Sequence, residues 1–487
     1  MSGIHQEFLR RASRIPYLGL GLSVDVYSPN VFELCEELRN RRISVAYLEI
    51  FNAAPETLER VRARLPDIPL SYHAEGLWFT QPDWETTYGS QERLQATARN
   101  LRILHAHWVN QECAAKEIAG FAFGTYLPPL LTGASAEITA YHAWKAQKSL
   151  DYDWGQQAES PLLLLEAPPL SYFAMGDISY AEFFTRVSAL APCGFVLDLG
   201  HIWTVYRYTG AWRSQSLESF FEAFLEQFPL ERIIQIHIAG LDCHPKILNQ
   251  LASGQPQIPS HWIDAHEASI PEELFQLLAR VIRDPRLINL KGIALEVDNK
   301  SISLTCREVK TAREILSLHN HSRPQVSVDA AEFKGEEGFQ VPDFEPSKET
   351  RQMLARQYID YVALVTGKDR SRLDIPKEWY EGTGEELGCY TTKYLPHEIL
   401  SWGGEVREMF PQTCQMLDRH GISLNQFVEF WFAYSRTPES EYDFFLHKIH
   451  QFVEFLSQEL PDALSTVKQE GELLSHGYVV ACRSSPA

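Results

Sequence analysis

The sequence predicts an α/β architecture: a (β/α)8 barrel followed by a mainly α-helical C-terminal domain. Three observations carry that reading. Short apolar runs alternate with helical stretches eight times before residue 320. After residue 340 the alternation stops, and nearly every stretch has helical periodicity. A His, Asp or Glu stands at or just beyond the end of most of the apolar runs. That is where such a barrel keeps its chemistry.

Strands are expected at 18–24, 44–50, 69–73, 101–107, 161–166, 194–199, 232–238 and 292–297. The run 162–165 is wholly apolar, as a strand buried on both faces requires. Helices are expected at 30–41, with Asn30 as N-cap, and at 56–65, 91–100, 180–190, 217–228, 271–283 and 307–317. An excursion punctuated by Tyr and Pro fills 110–157. Gly19 and Gly21 lack the rest of a dinucleotide fingerprint, so close packing is expected there. The chain thus divides into a barrel (1–320), a linker (321–340) and a helical domain (341–487). The linker holds Pro324 and the acidic Glu336 and Glu337, read as solvated. Within the last domain, helices are expected at 347–365, 396–409, 411–420, 424–434 and 441–460, around a loop-like stretch at 378–394.

Bulk properties exclude several classes. A net charge of −20 repels nucleic-acid backbones, and no sizeable basic patch offsets it. The eight cysteines are scattered without a CxxC pair, which argues against zinc ribbons, iron–sulfur sites and a disulfide framework. Residues 1–14 are polar and lack a secretion signal, and no apolar run is long enough to span a membrane. A soluble protein of a reducing, cytoplasmic compartment is expected.

The chemistry is expected in His73, His105, Glu166, Asp198, His201, His237, Asp264, His266 and Glu296. Asp264 and His266 stand two apart, a spacing that in a strand offers a carboxylate and an imidazole to one point. Taken singly, each is more often a satisfied buried polar group than a ligand. Together at one barrel mouth, four carboxylates would repel one another unless cations neutralised them. Imidazoles and carboxylates without thiolates suit iron, manganese or zinc. The set is too large for one ion, so two or three are expected, with Glu166 as a candidate bridge.

Other residues have weaker readings. His107 is an alternate ligand or a neighbour of one, while His142, His244 and His261 are expected on loops or the surface. Trp78, Trp108 and Trp203 follow proposed ligands and either wall the pocket or pack at the rim. Glu49 and Asp298 either orient ligating imidazoles or form structural ion pairs.

With these residues in view, the sequence resembles the multinuclear non-heme iron-dependent oxidative enzymes (MNIO), a family of xylose-isomerase-like barrels. The trinuclear zinc phosphodiesterases of the endonuclease IV type share the ligand types and their order, so ligands alone do not discriminate. The surrounding motifs favour MNIO: Tyr47-Leu-Glu-Ile50, Leu70-Ser-Tyr-His73, His105-Ala-His-Trp108, Leu163-Leu-Leu-Glu166, Leu197-Asp-Leu-Gly-His201, His237-Ile-Ala-Gly240, Ile263-Asp-Ala-His266 and Leu295-Glu-Val-Asp298. Three positions depart from the family's habit: Ala74 where Gly is common, Ala167 where Asn is common, and His201 where many members carry Asn.

The resemblance implies one iron near His73, His105 and Glu166. It implies a second near Glu166, Asp198, His237 and Glu296, and a third near His201, Asp264 and His266. It further implies O2 as co-substrate and a ribosomally made precursor peptide as substrate, often modified at cysteine. The helical domain is then a candidate for presenting that peptide in cis, by raising its effective concentration beside the barrel. The competing readings are a zinc phosphodiesterase or sugar isomerase on the same frame, and a barrel that binds peptide or metal without turnover.

Overall fold

A computed structural model describes residues 3–86, 90–155, 160–170, 173–243, 262–319, 341–368, 373–436 and 444–484. The expected linker, with Glu336 and Glu337, lies outside the described residues, as do His244 and His261.

Eight parallel strands close into a barrel in chain order: β1 (Gly19–Val24), β2 (Leu48–Phe51), β3 (Leu70–His73), β4 (Trp108–Glu112), β5 (Leu162–Glu166), β6 (Gly194–Asp198), β7 (Ile233–Ile238) and β8 (Gly292–Glu296). Side chains alternate across each strand. On β5, Leu163 and Leu165 face the surrounding helices. Leu162 and Leu164 face inward, where they meet Tyr47, Trp108, Val196, Ile234 and Ala294. Phe8, Leu9 and Ala12 of the N-terminal helix Gly3–Ala12 join this inner cluster and plug the N-terminal end. Gly21 and Gly292 make room for the buried Tyr47. A Cβ on Gly21 would strike the Tyr47 ring, and one on Gly292 would come within 2.6 Å of its hydroxyl. Between β6 and β7 the register slips, Phe195 facing Ile233 and Val196 facing Gln235. Ile234 is the extra residue, and the bulge sets Gln235 and His237 on the inner face.

Three expectations are corrected. The fourth strand begins at Trp108, and 101–107 is instead the end of helix Ser90–Leu104 with its following turn. Leu94, Ala98, Leu101 and Leu104 are the buried stripe of that helix, and their last members imitate a strand. The excursion from 110, over its described residues to 155, forms elements of its own: the end of β4, a hairpin (Ala115–Ile118 with Phe121–Leu127) and the helix Gly133–Trp154. The stretch 378–394 is mostly helical, with short turns leading into Gly384–Cys389 and a wide turn at Tyr390–Tyr394.

The region beyond 340 is helical, beginning with Lys348–Val365, capped by Ser347. It packs on loops at the C-terminal end of the barrel. Tyr361 donates its hydroxyl to Pro128 O at 3.0 Å, and the Trp431 indole donates to Ala122 O at 2.8 Å. Glu386 pairs with Arg207 and Arg213 at 3.4 and 3.0 Å. The apolar residues of this region and of the barrel's outer layer form one continuous cluster.

Candidate metal centre

The inward positions at the C-terminal ends of the strands supply most of the site: His73 on β3, Glu112 on β4, Glu166 on β5, Asp198 on β6, His237 on β7 and Glu296 on β8. Three further residues come from the segments that follow β6 and β7. Asp198 caps helix Leu199–Tyr208, its Oδ1 accepting from His201 N at 2.6 Å. An N-cap and the residue three later sit side by side, so Asp-x-x-His delivers both groups to one place. A short antiparallel pairing of Leu241–Cys243 with Trp262–Asp264 carries Asp264 to the mouth, and His266 in the next turn meets it at 3.0 Å.

Glu166 is the centre. Its Oε1 lies 3.1 Å from His237 Nδ1 and 3.7 Å from His201 Nδ1, and its Oε2 lies 3.6 Å from His73 Nε2. The Asn110 amide donates to Oε2. Glu296 reaches His237 at 3.3 Å through Oε1 and His266 at 3.4 Å through Oε2. Three groups bring one ligand atom each within 4.8 Å of one another: His73–Glu112–Glu166, Glu166–Asp198–His237, and Asp198–His201–Glu296.

Each imidazole is held from behind. His73 Nδ1 donates to Ala74 O at 3.1 Å, and His201 Nδ1 to Ala167 O at 2.7 Å. His237 Nε2 lies 2.9 Å from Glu49 Oε1, and His266 Nδ1 lies 2.9 Å from Asp298 Oδ2. Ala74 O, Ala167 O and Asp298 can only accept, so in those three hydrogen bonds the outer nitrogen carries the proton, while His237 meets Glu49 as a close ion-pair contact. The other nitrogen then faces the carboxylates. Glu49 and Asp298 thus stand where they orient histidines. The unusual Ala74 and Ala167 contribute backbone carbonyls, which their side chains leave unchanged.

The expectation for His105 is corrected. It sits in the turn after helix Ser90–Leu104, before β4, and therefore at the N-terminal end of the barrel. His107 lines the same distant cavity. Glu112 occupies the place beside His73 and Glu166. Sequence reasoning passed over Glu112 and Asn110 because β4, Trp-Val-Asn-Gln-Glu, is too polar to read as an apolar run. Trp108, Asn110 and Glu112 do stand two apart, which was the available signal. His142 is neither surface nor loop: it is buried on helix Gly133–Trp154, with Nδ1 2.9 Å from Phe79 O. Trp108 lies in the barrel interior, its indole donating to Gln235 Oε1 at 2.7 Å, and the buried Trp78 donates to Glu117 at 3.1 Å.

With that geometry in place, the profile of one protein family, described as the RiPP precursor modification enzymes MbnB/TglH/ChrH, matches residues 18–317. The chain belongs to this family. The matched span contains the whole barrel and every residue of the cluster. A UPF0276 protein of Paraburkholderia phytofirmans is 28% identical over 185 residues, which is 37% of this chain and 52% of that protein, so the match spans about half of that relative. Among solved structures, endonuclease IV from Thermus thermophilus overlays with a TM-score of 0.38 at 17% identity, covering 62% of this chain and all of the other. A GH18 chitinase from Cycas revoluta overlays at 0.35 and 12%, covering 61% of this chain and 99% of the chitinase. The barrel rests on its own strand order rather than on these overlays.

In this family member the cluster is electrostatically poised for cations. Burial pushes the Glu112 carboxyl up to about 7, with Glu166 and Asp264 adding to the rise against the pull of His201 and His73. Burial also lifts Asp198 to about 7, aided by Glu296, Glu166 and Asp264 against the pull of His201. Burial alone would lower His73, but its bond to Glu166 and the charge of Glu49 raise it to about 9. Protons thus fill in for missing positive charge. Glu112 Oε2, Asp198 Oδ2, Asp264 Oδ1 and Glu296 Oε2 are buried with no hydrogen-bond partner among the described residues. Unpaired buried carboxylate oxygens are costly, and coordination to a metal ion would satisfy them. The donor set, nitrogen and oxygen without sulfur, fits iron, manganese or zinc.

Proposed function

We propose that this protein is a multinuclear non-heme iron oxidase that uses O2 to modify a ribosomally synthesised precursor peptide at cysteine. One observation supports the metal centre above the rest. Four imidazoles each have an outer ring nitrogen pinned to an acceptor and an inner one aimed at carboxylates. At those distances a bare imidazole lone pair would repel the carboxylate, so each inner nitrogen carries either a second proton, as the raised His73 does in the metal-free chain, or a metal ion in its place. Family membership supports a peptide substrate.

His73, Glu112 and Glu166 would hold one ion, and Glu166, Asp198 and His237 a second, with Glu166 bridging. Asp198, His201 and Glu296 would hold a third, with Asp264 and His266 beside them. Bound ferrous iron would supply O2 activation and a soft coordination position for a substrate thiolate. The chain's own residues do the rest. Asn110 fixes the bridging carboxylate, and Glu49 and Asp298 keep the imidazoles aimed. The buried walls exclude water from the reacting groups. Asp264 and His266, the most exposed of the set at 15% and 26% of their side chains, mark the open side from which a peptide reaches the centre.

The helical region is the proposed presenter of the peptide. It covers loops after β4, β5 and β6, and it brings Trp402, 49% exposed, to that rim. The Trp402 ring lies 5.9 Å from Lys116 Nζ, which in turn binds Glu75 at 2.5 Å, two residues past His73. An exposed indole beside the mouth is a low-entropy anchor for a peptide side chain. Trp402→Ala is expected to raise KM for peptide without changing metal content.

The deciding experiment is elemental analysis of protein purified without oxygen or chelators, paired with Mössbauer spectroscopy on iron-labelled protein. The same protein is then incubated with a short peptide encoded beside it, and the mass change is read. Two or three irons per chain and an O2-dependent mass change are expected. Zinc filling the site even after iron feeding would overturn the oxidase reading in favour of a hydrolase.

A further inference from the structure

The far end of the barrel takes no part in this chemistry, yet it holds a cavity of about 710 Å³ between the N-terminal helix, the turn after helix Ser90–Leu104 and the start of β5. That volume is typical of a small-molecule site. Its wall carries Arg11, Arg14, Arg102, His105, His107 and Trp154, and no Asp or Glu is among its described lining residues. On a chain with 64 acidic against 44 basic residues, such a concentration of one sign is a departure from the background. We infer that this cavity binds an organic phosphate.

The wall is preorganised. Arg11 is buried and held by Asp151 at 2.6 and 3.1 Å and by Glu7 at 2.8 Å, so its charge is balanced from behind. The Arg102 guanidinium lies 4.8 Å over the Trp154 ring, which restrains its plane. His105 adopts a left-handed φ of 51° as the residue that ends helix Ser90–Leu104, its N–H donating to Arg102 O and that of Ala106 to Leu101 O, and this cap fixes the turn on the cavity wall. The turn places His105 and His107 two apart on one wall, the first exposed and the second half-buried. With the Arg11 donors taken by Asp151 and Glu7, the guanidinium edges of Arg14 and Arg102, with the imidazoles alongside, are the ones that match the several oxygens of a phosphoryl dianion. A phosphate alone would leave most of the cavity unfilled. The apolar Ile15 and Leu162 line the remainder and suit an organic body. From Leu162 to Glu166 the strand advances roughly 13 Å, so a ligand here does not touch the metal cluster.

The test is calorimetric titration of the metal-loaded full chain with inorganic phosphate and with pyrophosphate at physiological salt. Arg14→Ala/Arg102→Ala is compared with wild type, and both side chains are exposed. Anion binding at the metals is common to both proteins, so the difference between them reports the cavity. A binding event that weakens at least tenfold in the double variant, at unchanged metal content, is expected. Arg41→Ala/Arg42→Ala, an equal charge change on another exposed surface, should leave it intact. Identical isotherms for wild type and the cavity variant, absence of binding in both, or equal weakening by the remote variant would each overturn the assignment.

Discussion

Replacing Glu112 by Gln should stabilise the metal-free protein and destabilise the metal-loaded one. In the fold the Glu112 carboxyl titrates at about 7 rather than 4.5, chiefly because it is buried. A group whose pKa is raised in the folded state favours folding only while protonated. That benefit is complete below pH 4.5 and has gone once the pH has risen through 7. At 1.36 kcal/mol per pH unit, ionised Glu112 costs the metal-free fold roughly 3 kcal/mol at pH 8. Unfolding entropy of about 2.1 cal/mol/K per residue over 487 residues converts that to a Tm about 3 °C higher for Glu112→Gln at pH 8. Near pH 4.5 the two proteins should melt together. With metal present the sign reverses, because the carboxylate then neutralises a cation beside His73 and Glu166. The variant should lose about one ion per chain and melt below wild type. Differential scanning calorimetry at pH 8, with and without chelator, and elemental analysis read both arms. His105→Ala should change neither metal content nor the metal dependence of Tm. A Glu112→Gln protein that keeps the full metal complement, or that melts lower than wild type after chelation, would refute the reasoning.

Other variants probe the supports. Glu49→Gln weakens the acceptor behind His237 and should lower metal affinity about 10–100-fold in a competitive chelator titration. Gly21→Ala drives a methyl group into the Tyr47 ring inside a closed barrel. A loss of about 3 kcal/mol or more is expected, seen as insoluble or early-melting protein. Lys448 is fully buried and donates to Trp402 O and to Gly404 O at 2.7 Å, tying off helix Leu395–Ser401. Lys448→Met should cost about 2 kcal/mol in urea unfolding by leaving those carbonyls unsatisfied, and it should raise KM for peptide through Trp402. A fragment ending at residue 340 should aggregate, because it uncovers Phe123, Leu127 and Leu130. A cooperative melt of that fragment by scanning calorimetry would contradict the single continuous core.

Several features of this protein were written in the residue order itself. Glu166, Asp198 and Glu296 each end an apolar strand and His237 stands one residue before the end of another, so period-two burial and the chain direction of a parallel barrel carry them to one end. Asp198 and His201 share a cap spacing, and Asp264 and His266 a two-residue spacing, both local and both legible. Family motifs across 18–317 are local as well. What tertiary structure alone decided is where similar-looking runs end up. Leu101, Ile103 and Leu104 read as a strand, yet the burial of one helix stripe claims them, and His105 goes with them to the wrong end of the barrel. The polar β4 reads as a loop, because its Asn110 and Glu112 are tolerated inside only where Glu166, His73 and their neighbours meet them. His142 looked like a loop residue until the buried helix Gly133–Trp154 enclosed it. Local sequence states periodicity and caps. Whether a polar side chain is stable in a low-dielectric interior depends on partners from other strands, and only the closed barrel brings those partners together.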